Sequence, residues 1–162
     1  MNSRVISFVV FGLLAGLGLP VGAVACPNPD APATTVLRET GVGLRRGRMV
    51  RVLVTGNAPL SDCPQAERTR NSTANFPVSP TLRLDLSGMI GLGVELRPDM
   101  ACAREMLVMT RDGTWYHRGP GLTGGLPPMV ISQVGSGSLL VWIGTGANES
   151  CRMRLDVLTI TR

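Results

Sequence analysis

The chain has 162 residues, 17% charged and 44% hydrophobic, with 20 Gly and 12 Pro. This excludes a charge-rich disordered segment and a helical bundle built from Ala, Glu, Lys and Leu, and the length suits one domain rich in turns. The formal charge is +5, from 16 basic residues that are all arginine against 11 acidic ones. So mild an excess, with few aromatics to interleave, does not describe a nucleic-acid-binding module.

Residues 1–25 hold one basic residue, Arg4, then an apolar run over 5–19 broken by Ser7 and several glycines, and close on Ala23-Val24-Ala25. That is the grammar of a secretory signal peptide, and Gly12, Gly16, Gly18 and Pro20 argue against a retained membrane anchor. Residues 26–162 are then a single domain, expected in the periplasm or outside the cell. No later run approaches the roughly 18 apolar residues of a spanning helix. The exclusive use of arginine fits a GC-rich bacterial genome, in which the sequons at Asn71 and Asn148 are chance matches.

Cys26 would open the processed chain, which admits two readings. A lipoprotein would be acylated there, but Ala-Val-Ala lacks the leucine usual three residues before a lipid-modified cysteine. The alternative uses all four cysteines, Cys26, Cys63, Cys102 and Cys151, as two disulfides in an oxidising compartment. Three connectivities are open; chain proximity favours Cys26 with Cys63 and Cys102 with Cys151, each closing a loop that stabilises by roughly 3–4 kcal/mol.

From residue 35 on, short runs of Val, Leu, Ile and Thr alternate with Gly, Pro, Asn and Asp, and no run sustains a helical period. The pattern predicts strands over 36–38, 48–55, 81–86, 91–97, 105–110, 114–117, 129–133, 138–143 and 152–161. Without helices for parallel crossovers, they imply an all-β, antiparallel sandwich. Asp112-Gly113 predicts a tight hairpin turn. Residues 62–75 read as a polar surface loop, and the Gly/Pro-rich stretch 118–128 as a second one, connective or functional. Arg45, Arg46, Arg48 and Arg51 form the densest charge cluster. It is expected to be a solvated turn entering a strand, or a docking patch for phosphate, a lipid headgroup or an acidic partner.

The half of the chain from about residue 81 to 162 resembles the bacterial pre-peptidase C-terminal domain family. The residues that carry this are Cys102 before a strand, Leu107-Val108, then Arg111-Asp112-Gly113-Thr114-Trp115, a Gly/Pro-rich loop, and Leu140-Val141-Trp142-Ile143-Gly144-Thr145 ahead of a terminal strand. The resemblance implies a jelly-roll-like sandwich, usually an accessory domain of secreted enzymes or a free-standing exported module without catalysis of its own. Members often carry an Asp-rich, calcium-suited loop after the Asp-Gly-x-Trp turn. Here Tyr116-His117-Arg118-Gly119-Pro120 stands in its place, with no carboxylate until Glu149, so no calcium site is expected.

His117 is the only histidine, so any hydrolase triad must use it. It lies two residues after Trp115, on the same face of an extended strand. One histidine and paired cysteines leave no zinc set, and Asp99 and Glu105 belong to no calcium loop. Trp115 and Trp142 could form an exposed platform, but Trp142, inside Leu139-Leu140-Val141-Trp142-Ile143, is expected between the sheets. The function expected is contact with an unidentified protein or extracellular polymer, with no enzyme activity, cofactor or metal; a small hydrolase using His117 and a lipid-anchored envelope protein are the alternatives.

Overall fold

A computed structural model describes residues 26–65, 69, 72–99, 102–122 and 124–161. The expected signal peptide lies outside the described residues. The described residues form eleven strands: β1 Val36–Thr40, β2 Arg48–Thr55, β3 Ala58–Pro59, β4 Asn75–Phe76, β5 Leu82–Ser87, β6 Leu92–Pro98, β7 Glu105–Met109, β8 Trp115–Arg118, β9 Met129–Ile131, β10 Gly137–Gly144 and β11 Ser150–Thr161. All nine predicted strands are present; β3 and β4, two residues each, were too short to leave a pattern.

The protein is an all-β sandwich. The first sheet runs β1-β5-β10-β7-β8 and the second β2-β11-β6-β9. With β1 set aside, the orders 5-10-7-8 and 2-11-6-9 are those of a double Greek-key jelly roll, in which the chain passes repeatedly from one sheet to the other. The pairing is antiparallel except at one edge, where β1 lies parallel to β5 with Leu37 beside Leu84. That exception to the expected antiparallel rule arises before the jelly roll begins. The N-terminal segment runs alongside residues 80–83 in the same direction, with Thr34 N–H donating to Pro80 O and Arg83 N–H to Thr35 O.

Two-residue alternation builds the main core between the sheets. Leu82, Leu84 and Leu86 point inward while Arg83, Asp85 and Ser87 face water, and Met153, Leu155 and Val157 alternate with Arg152, Arg154 and Asp156. At the β7–β8 turn only Gly113 takes a positive φ, +79°. Asp112 instead accepts hydrogen bonds from the hydroxyls of Thr110 and Thr114, which hold its carboxyl below the usual range.

Strand β10 breaks the alternation, being buried on both faces. Leu139, Val141 and Ile143 enter the main core, whereas Leu140 and Trp142 enter a second cluster with Leu60, Cys63, Ala74, Phe76 and Leu107. Trp142 is therefore fully buried, but on the outer side of the first sheet rather than between the sheets. Its indole N–H donates to Val78 O and its ring lies 5.2 Å from that of Trp115. The stretch expected as a surface loop is bounded by the residues that cover this face. Cys63 and Ala74 within it belong to no apolar period, so only tertiary contact shows them to be interior. Disulfides link Cys26 to Cys63 and Cys102 to Cys151, with Cα separations of 5.5 and 6.5 Å. The first anchors the cover; the second ties the approach to β7 to the start of β11.

Because Phe76 is fully buried in this second cluster, Phe76→Ala should cost about 3–5 kcal/mol in a urea titration with the disulfides intact. A residue of a solvated loop would change stability by less than about 0.5 kcal/mol.

Candidate functional site

Antiparallel register lays out the covered face as a grid. Gly144 sits opposite Glu105, Trp142 opposite Leu107 and Leu140 opposite Met109; across β7, Leu107 faces His117 and Met109 faces Trp115. Glycine is needed at 144, since a Cβ there would lie 2.9 Å from both Ala74 Cβ and Phe76 Cζ of the cover. Among the described residues Glu105 is the one buried charged side chain, only 1% exposed.

Its two oxygens are fully engaged. Oε1 accepts the backbone N–H groups of Thr73 at 2.8 Å and Ala74 at 3.2 Å, and the Thr73 hydroxyl at 3.4 Å. Oε2 accepts the Ser72 hydroxyl at 2.6 Å and His117 Nε2 at 2.8 Å. A carboxylate only accepts, so Nε2 carries the proton in this contact. Burial pushes the Glu105 carboxyl up, but the hydrogen bonds from His117, Ser72 and Thr73 outweigh it and bring the pKa down to about 2.

His117, the expected centre of any hydrolase arrangement, does share a strand face with Trp115. Ser72 and His117 nevertheless both donate to Glu105, so the serine hydroxyl is not hydrogen-bonded to the imidazole. The order hydroxyl–imidazole–carboxylate of a nucleophilic triad is replaced by a carboxylate hub. Glu105 was legible as one acidic residue in Glu-Met-Leu-Val-Met, on the face of Leu107 and Met109. Its partners Ser72, Thr73 and Ala74 were not, being some 30 residues upstream. Among the described residues, no group of three His, Cys, Asp or Glu side chains could hold a metal ion.

The predicted arginine cluster is divided by the fold. Arg45 and Arg46 stand exposed on a single 3-10 turn, Gly43–Arg46, and Arg48 is held by Glu39 at 2.7 Å. Arg51 belongs elsewhere, on the outer face of the second sheet, directly opposite Arg154 on β11; Arg152 stands opposite Leu53. Like charges in direct register are unfavourable. Asp99 offsets them only in part, with Oδ2 3.9 Å from Arg154 Nε. Among the described residues, Arg51 and Arg152 have no carboxylate within 4.0 Å.

These arginines, with Asp99 and Met153, line an open depression of about 300 Å³. Met49 and Leu53, 55% and 51% exposed, project from β2 beside Arg51. Arg152 and Arg154 were missed in the sequence because they lie about 100 residues from Arg51, although Arg152-Met153-Arg154-Leu155 shows the required alternation. The Gly/Pro stretch over 118–128 is partly anchored: Gly121 N–H donates to Gly125 O, and Leu126 enters the main core. No family model matches the chain, and no curated protein matches it significantly.

The Glu105 carboxyl has a folded pKa of about 2, below its ordinary 4.5. Its contribution is thus complete above pH 4.5 and is lost as pH falls toward 2. Urea midpoints of the wild type should fall across that window by the equivalent of about 2–3 kcal/mol. Glu105→Gln, which cannot titrate, should start less stable and change less over the same range. Parallel curves for the two proteins would show that the carboxylate is not the acid-labile group.

Proposed function

We propose that the chain is an exported, non-catalytic β-sandwich that binds a protein or extracellular polymer, as an accessory or structural component of the envelope. Its contact surface is the outer face of the second sheet. The observation that carries this reading is the meeting of Arg51, Arg152 and Arg154 on one solvent-facing surface beside exposed Met49 and Leu53. Guanidinium groups with little internal neutralisation attract anionic groups, and flanking apolar side chains add desolvated contact.

Export is supported by the leader pattern and by two disulfides, which persist in oxidising compartments. A free exported form is favoured over a lipid-anchored one because the Cys26 sulfur is joined to Cys63. The non-catalytic reading is favoured over a hydrolase because His117 and Ser72 are both committed to Glu105. The double Greek-key order also suits the resemblance to pre-peptidase C-terminal domains, which serve as accessory modules.

Linear polyphosphate provides a probe without side chains or a peptide backbone. Exchanging Arg51, Arg152 and Arg154 together for Ser should weaken its binding about tenfold or more and flatten the salt dependence, with little change in thermal midpoint. Exchanging Arg45, Arg46 and Arg48 should have the smaller effect. Equal binding by wild type and the Arg51, Arg152 and Arg154 variant would remove this face as the contact surface.

A further inference from the structure

Strand β2 is an edge of the second sheet and, at eight residues, the longest of the four edge strands of the two sandwich sheets; β1, β8 and β9 have five, four and three. It pairs only with β11, and among the described residues nothing hydrogen-bonds to the backbone along its other side. Such an edge is a row of free N–H and C=O groups, to which another extended chain can add.

The side chains along it select what can add. Met49, Arg51 and Leu53 point to the outer face, whereas Val50, Val52 and Val54 point to the core. An added strand would therefore set an acidic residue beside Arg51 and aliphatic residues beside Met49 and Leu53, at two-residue spacing. The carboxylate would also meet the unfavourable Arg51–Arg154 register. Arg48 is already held by Glu39, so Arg51 is the only arginine of β2 left to choose a partner.

We infer that the exposed edge of β2 binds an extended, acidic polypeptide segment by β-strand addition, in the pattern aliphatic-x-acidic-x-aliphatic. This rests on the contact reading above and names its partner's chemistry. A second copy of the chain fits less well, since β2 carries two arginines and no carboxylate. A lipid surface fits less well because it offers nothing to the free backbone groups, and no aromatic side chain is present among the residues of β2, β11, β6 and β9 to seat in an interface.

The test uses the purified protein and a nine-residue capped peptide of alternating Val and Thr with Glu at its centre, flanked by Val at two-residue spacing. Binding should slow hydrogen exchange at the β2 amides that face away from β11, without effect at β9. A Glu-to-Lys peptide, and one N-methylated at alternate backbone nitrogens, should each bind about tenfold more weakly or worse. Equal binding of the N-methylated peptide, or protection at another edge, would overturn the inference. So would protection of the β2 edge by self-association without peptide, which would assign it to a second copy. Polyphosphate binding through Arg51 without peptide binding would leave the contact face standing and remove strand addition. Failure of both probes would remove both.

Discussion

Strand β10 is apolar on both faces, and much of the molecule follows from covering each of them. A jelly roll covers one face of each sheet with the other and leaves two outer faces to water. The outer face of the second sheet accepts that arrangement, with Arg51, Glu95, Arg97, Arg152, Arg154 and Asp156 among its exposed or half-buried residues. The outer face of the first sheet cannot, because Leu107, Leu140 and Trp142 would be in water. A segment whose described residues form only the short β3 and β4 and 3-10 turns therefore covers it. What that segment lacks in apolar mass is supplied by a disulfide at Cys63, by Gly144 making room for Ala74 and Phe76, and by hydrogen bonds to a single carboxylate.

Burying that carboxylate costs several kcal/mol unless its lone pairs are satisfied. Donors from Ser72, Thr73, Ala74 and His117 meet the requirement, and the same bonds fix the cover on β7 and β8. The one histidine and a nearby serine thereby become parts of a structural joint. The two outer faces of the sandwich thus differ, one covered where Leu107, Leu140 and Trp142 lie and the other open to solvent.

The sheets were largely legible in the sequence because period-two alternation is local: Leu82, Leu84 and Leu86, or Met153, Leu155 and Val157, declare their side within a few residues. The Val, Leu, Trp and Ile run of β10 announced burial but not its cause, since a continuous apolar strand looks alike whether its second cover is a sheet or a loop. The parallel β1 was hidden because register depends on the path of the chain. Of the arginines on the outer face of the second sheet, Arg51 was visible within its cluster, while Arg152 and Arg154 joined it only through the β2–β11 register. Local charge density picked out Arg45 and Arg46, whose position on a short turn leaves them apart from that face.

The central claim is that the Glu105 carboxylate holds the cover on the first sheet. Hydrogen exchange resolved to single amides, comparing the wild type with Glu105→Ala at neutral pH, tests this most directly. The Thr73 and Ala74 amides should lose most of their protection in the variant, while amides within β6, β10 and β11 remain slow. Wild-type protection at Thr73 and Ala74 in Glu105→Ala would contradict the account.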